Sequence, residues 1–388
     1  MKKLSALILC LTLSAVSFSA CSPSVDWSSV ITNTPPHTDY PQDSYVQKET
    51  ETGTKTISSL QELVTYLNDM RAEGIYVTDV RYTNELTDSD FSLLTDCIPA
   101  ISVAYSAVGN EYEFTLTPFV GDRIVKAHFS NDLSGLNPEE IEVLRIAEQM
   151  VFEAKGMTSD RIELELILHD MLTEKITYYT ANVTSDSGDD PPRFRTVTGA
   201  LLDGRANCMG YSDAFYTLAT IAGFEVDRMS VVSDDGMPHM VNTIKLDGAW
   251  YVVDVTYDDS DSDTANMYPH FNAGLDMCGS ISWNPMAEYR PIAKVSNHNY
   301  YYNMKNDSPL HNYQKMHTTL SSLAETAIYE YGNNNRTVIQ LMVTNQELTG
   351  DEITSAIYEA SDSITHAFSY SIIYDTLGGH TYVTVQFS

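Results

Sequence analysis

Basic residues are scarce in this 388-residue chain: 22 Lys and Arg stand against 53 Asp and Glu, for a formal charge of −31. A body so acidic is repelled by nucleic acid and by anionic headgroups, and no basic patch interleaved with aromatics offsets this. Cysteine is also scarce, at five residues. Besides Cys10 and Cys21 near the start there are only Cys97, Cys208 and Cys278, an odd and widely spaced set that makes no disulfide framework. Cys97 and Cys278 are left open to pairing with each other. The chain lacks C-x-x-C and H-E-x-x-H spacings, so neither a metal site nor a cofactor is expected. The acidic run D-D-S-D-S-D at 258–263 lacks the glycine and closing glutamate of a calcium loop, and reads as a solvated acidic loop. Beyond residue 20 no apolar run is long enough to span a bilayer.

The first 20 residues do carry such a signal. Lys2 and Lys3 precede an apolar run from Leu4 to Phe18, and Ser19 and Ala20 lead into Cys21. That is the pattern of a secretory signal peptide over 1–20. Its F-S-A-C ending resembles a bacterial lipobox. The resemblance implies lipid on Cys21, a membrane anchor, and an extracytoplasmic location at the bacterial cell surface. Residues 21–54 are polar, rich in Ser, Thr, Pro and acids, and read as a flexible tether.

Two stretches of the remainder repeat one another. T-I-S-S-L-Q-E-L at 56–63 matches T-L-S-S-L-A-E-T at 319–326, and N-E-L-T at 84–87 matches Q-E-L-T at 346–349. Each copy predicts a capped helix, starting at Ser59 with Glu62 or at Ser322 with Glu325. A strand follows at 75–81 or 337–343. A second helix starts at Thr87 with Asp90 or at Thr349 with Glu352. A hairpin closes each copy, turning at Gly109-Asn110 or Gly378-Gly379. The expectation is two similar small α+β modules, at 55–128 and 313–388, flanking a domain at 129–312.

That middle domain opens with helices. Asn137-Pro138-Glu139-Glu140 is a helix start with cap, proline and acid in place, and a second helix begins near Ser159. Residues 184–193 read as a loop. Tyr211, Ala214, Phe215, Leu218, Ile221 and Ala222 then recur at helical spacing directly after Cys208. A thiol in the first turn of that helix feels the positive end of its dipole, which favours thiolate. Strands are expected at 225–232, 239–246 and 249–256, with Asp247-Gly248 as the turn between the last two. If Leu246 pairs with Ala249, Asp254 falls opposite Val241, two residues from His239 and within side-chain reach. A helix carrying the thiol on an antiparallel sheet carrying His239 and Asp254 is an α+β core. Cys208, His239 and Asp254 then have the roles of nucleophile, base and orienting carboxylate.

The segments C-M-G-Y at 208–211, H-M-V-N at 239–242 and D-V-T-Y-D-D at 254–259 resemble those of the transglutaminase-like superfamily, whose core resembles that of papain-like cysteine proteases. T-G-A-L-L-D-G-R at 198–205 and I-L-H-D-M-L-T-E-K-I-T-Y at 167–178 are similar to the family's approach to its cysteine. The resemblance covers about residues 160–260. The family often has Trp where Val241 and Tyr257 stand, and a small apolar residue where Asn207 stands. The resemblance implies acyl-enzyme chemistry on a protein or peptide substrate, by a peptidase or amidase. Protein cross-linking, and a non-catalytic surface protein binding peptides or glycans, are the alternatives. Tyr178, Tyr211, Asn242 and Tyr257 are the candidate substrate-binding residues.

Overall fold

The computed structural model describes residues 54–180, 192–232, 237–259, 266–278, 291–303, 313–364 and 368–388. The signal segment, nearly all of the tether, most of the 184–193 loop and residues 260–263 lie outside the described residues.

The first module forms because its strands alternate and its helices are capped. Strand β1 (Lys55–Ile57) leads to α1 (Leu60–Ala72), whose cap Ser59 accepts from the Glu62 N–H. After β2 (Val77–Tyr82) comes α2 (Asp88–Cys97), closed by a reciprocal Thr87–Asp90 capping box. Then β3 (Ser102–Val108) and β4 (Glu111–Thr117) make the hairpin. In β4, Tyr112, Phe114 and Leu116 are buried and their neighbours exposed, the period-two pattern of a sheet with one wet face. The strand order is β1-β2-β4-β3, with β1 parallel to β2 and the other pairs antiparallel.

Helix α3 (Val120–Ser130) spans residue 128, where the boundary between the first module and the middle domain is expected. Its Ile124, Val125 and Ala127 share a core cluster with Val143, Phe215 and Leu218 of the middle domain. That cluster also takes in α4 (Pro138–Met157), capped by Asn137, and α5 (Arg161–Lys175), capped by Asp160. Short parallel strands β5 (Thr177–Tyr178) and β6 (Arg205–Ala206) bring the chain to α6 (Cys208–Ala222). Every residue of α6 from Gly210 to Ala222 is buried, so it is a central helix rather than an amphipathic one at the surface.

Against α6 lies an antiparallel sheet of β7 (Val226–Val232), β8 (Pro238–Leu246) and β9 (Ala249–Val253). Leu246 pairs with Ala249 and Asn242 with Val253, the expected register. Asp247 and Gly248 have φ of 49° and 84°, so both turn residues are left-handed, as this tight hairpin requires. Strand β9 stops three residues before the expected 256. Asp254 leaves the ladder and caps a short helix, α7 (Val255–Asp258), by accepting from Thr256 N and Tyr257 N.

The last module repeats the topology of the first. Strand β10 (Met316–His317), helix α8 (Leu320–Asn334), strand β11 (Val338–Val343), helix α9 (Gly350–Ala360) and strands β12 (Tyr370–Leu377) and β13 (His380–Phe387) follow in that order. The strand order is β10-β11-β13-β12, again with the first pair parallel. The Thr349–Glu352 box closes α9 as expected. The cap of α8 is Thr319, accepting from Ser322 N, and not Ser322. The matched S-S-L segments are therefore three residues out of structural register.

Module and middle domain are joined through buried charge. Arg71 of α1 bonds Asp122 of α3 at 3.1 Å and also Asp227 of β7. Arg228 reaches the same Asp122 at 3.1 Å and Asp213 of α6 at 2.6 Å, with its guanidinium 3.7 Å from the centre of the Tyr216 ring. Asp213 is completed by the N–H groups of Gly121 and Val197. Ions this deep are tolerated only when each is paired and hydrogen-bonded, and these are.

Candidate active site

Cys208 is the first residue of α6, and Asn207 before it is the cap. The Asn207 side chain accepts from Met209 N at 3.1 Å and Gly210 N at 3.3 Å, so the cap does not consume the Cys208 N–H. Asn207 thus has a local reason to precede the cysteine. Gly210 is required by close approach: a Cβ there would fall 2.6 Å from Phe194 O and 2.7 Å from the Ala206 Cβ. The half-buried Cys208 contrasts with Cys97 and Cys278, which are buried.

His239, near the start of β8, meets Asp254 through Nε2 and Oδ2 at 2.7 Å. The Cys208 side chain acts on the same imidazole electrostatically. With Nε2 committed to Asp254, Nδ1 is the nitrogen left for sulfur. Burial alone would lower the His239 pKa, but the Asp254 carboxylate, its hydrogen bond and Cys208 together push it up to about 11. Asp254 thus favours the protonated ring. Asp254 is buried, which alone would raise its pKa. The His239 charge and hydrogen bond, His270 and the Tyr257 N–H outweigh burial and hold it below the usual carboxylate range.

The four candidate substrate residues divide. Tyr257 is 49% exposed and stacks on His239, with ring centres 4.5 Å apart and planes at 22°. Tyr178 is half-buried, its ring 6.3 Å from Tyr211. Tyr211 is buried, its hydroxyl 3.0 Å from Ile176 O and 2.5 Å from Asp259 Oδ2. Asn242 is buried too, and its amide donates to Ser212 O at 3.0 Å and Asp227 O at 3.4 Å. Tyr211 and Asn242 thus brace the frame, and of the four only Tyr257 presents a largely exposed surface beside the histidine.

Sequence reasoning missed the ring of groups behind the triad. Asp258, counted in the solvated acidic loop, is buried against His169 and His270. A sequence signal for it was its place in D-V-T-Y-D-D at 254–259, four residues after Asp254. Among the described residues, no cluster of three or more His, Cys, Asp or Glu side chains is arranged to hold a metal ion.

No protein-family model matches the chain, and no curated protein does. Among solved structures, one described as a TGase is similar over 49% of this chain and 53% of its own, at 16% identity and a TM-score of 0.29. The match thus spans about half of that protein's length. LapG of Legionella pneumophila is similar over 35% of this chain and 72% of its own, at 13% identity and a TM-score of 0.24. At TM-scores this low the likenesses carry no functional inference.

Proposed function

We propose that the chain is a thiol enzyme of the transglutaminase-like type that breaks amide bonds through an acyl-enzyme. The carrying observation is His239, bonded to the Asp254 carboxylate at 2.7 Å and close enough to Cys208, at the start of α6, for the two to interact electrostatically. A histidine beside a helix-start cysteine is placed to hold the proton that the sulfur gives up. The sulfur attacks the amide carbonyl carbon, and the displaced electron pair moves to oxygen, where the Cys208 N–H helps hold it. Collapse breaks the C–N bond, and His239 gives its proton to the leaving amine. Neutral His239 then takes a proton from water, whose oxygen attacks the thioester, and the C–S bond breaks to restore the thiolate. An amine in place of water gives cross-linking, and hydrolysis is the reading preferred here. The body is read as carried at the bacterial cell surface on lipid at Cys21.

The test is incubation of the purified chain with a peptide library, with and without added amine, and product masses as readout. Cleaved peptides are expected, lost in His239→Ala and reduced by orders of magnitude in Asp254→Asn, which misorients the ring. Amine incorporation in place of cleavage would move the reading to cross-linking. Wild-type turnover in both variants, or no product under either condition, would overturn the acyl-transfer reading.

A further inference from the structure

Asp258 closes α7, and one of its oxygens is held twice by one residue. Its Oδ1 accepts from His270 N and faces His270 Nδ1, each at 3.1 Å. Its Oδ2 lies 3.3 Å from His169 Nε2, an ion-pair distance without hydrogen-bond alignment. His169, on α5, is fully buried and meets Asp170 through Nδ1 at 3.0 Å. Acyl transfer uses none of these groups.

His270 reaches the proposed site by two routes. Its carbonyl accepts the Asp254 N–H at 3.2 Å. Its ring centre lies 5.5 Å from that of Tyr257, which in turn stacks on His239. Asp254 and Tyr257 both belong to the α7 turn, and four residues cannot hold a helical turn unaided. Asp254 fixes the start of the turn and Asp258 its end.

We infer that His270, locked by Asp258, is a positioning residue of the thiol site that keeps Asp254 and Tyr257 in register with His239. This rests on the acyl-transfer reading. Burial by itself would lower the His270 pKa, but the Asp258 carboxylate outweighs burial and raises it.

The experiment measures the rate at which iodoacetamide alkylates Cys208 in the full chain at neutral pH. It compares wild type with His239→Ala, His270→Ala, His270→Asn and His270→Leu. Asparagine can place an N–H where imidazole Nδ1 stood; alanine and leucine cannot. His239→Ala should slow alkylation strongly. His270→Ala should slow it on the order of tenfold through misplacement of the ring pair, and His270→Asn should recover most of that loss. A wild-type rate in His270→Ala, with His239→Ala slow, overturns the positioning role alone. Equal loss in His270→Asn and His270→Ala also overturns it, because the donor would not be what matters. If His270→Ala does not fold, His270→Leu against His270→Asn decides by the same criterion. A wild-type rate in His239→Ala would overturn the acyl-transfer reading itself.

Discussion

Glu165→Gln should stabilise this protein at neutral pH and do almost nothing in acid. Glu165 is fully buried on α5, one turn before His169. Its Oε2 accepts from Asn272 Nδ2 at 3.0 Å, while its Oε1 and Asn272 Oδ1 have no hydrogen-bond partner. One proton on the carboxyl supplies the donor that this acid–amide pair lacks. Burial, opposed by the Asn272 hydrogen bond and by His169 and Arg161, pushes the Glu165 pKa from 4.5 up to about 8. The sign follows from that direction. Between about 4.5 and 8 the folded state binds a proton that the unfolded state does not, so stability falls as pH rises through this window. Each pH unit costs about 1.4 kcal/mol, giving about 3 kcal/mol at pH 7 and under about 1 kcal/mol at pH 5. Glutamine keeps the shape and the amide pairing and needs no proton. Urea unfolding of wild type and variant at pH 5 and pH 7 reads the difference. An equal difference at both pH values, or a less stable variant at pH 7, would refute the reasoning.

Three further outcomes are expected. Iodoacetamide followed by peptide mapping should mark Cys208 well before Cys97 or Cys278, because the latter two are buried and burial pushes the Cys278 thiol far up; equal labelling would contradict the site. Gly121→Ala should cost a few kcal/mol in thermal unfolding, since its Cβ would fall 2.5 Å from both Asp213 Oδ1 and Thr217 Oγ1 at the centre of the buried charge cluster. Cys21→Ser should release the protein from membranes and leave any peptide turnover unchanged, which fractionation and lipid mass analysis check; a variant that stays in the membrane fraction would argue against the anchor.

What was legible in the sequence is what short-range rules control. The two-residue Asp247-Gly248 turn fixes the β8–β9 register, and that register carries Asp254 to the histidine even though the strand ends at Val253. The Thr87–Asp90 and Thr349–Glu352 boxes lie within one turn of chain, and both helices start there. The S-S-L match between the modules misled for the same reason. A helix start takes whichever hydroxyl stands where the preceding strand ends, and that is Ser59 in one module and Thr319 in the other.

The groups that tie the molecule together follow no short-range rule. Arg71, Asp122, Asp213, Asp227 and Arg228 come from α1, α3, α6 and β7, and singly each has the residue type of a solvated surface. Asp258, His169 and His270 are equally scattered, and Asp258 sits in a run of acids that composition alone assigns to water. Their burial becomes favourable only after folding has gathered their partners, because an isolated buried ion costs far more than a paired one. Helix α6 carries a residue of the first cluster, Asp213, five positions after Cys208. The turn that supplies Asp254 ends in a residue of the second, Asp258. Each side of the thiol–imidazole pair is therefore anchored by a buried ionic group that no local pattern announces, and the placement of Cys208 against His239 depends on long-range pairing more than on the motifs that first identified it.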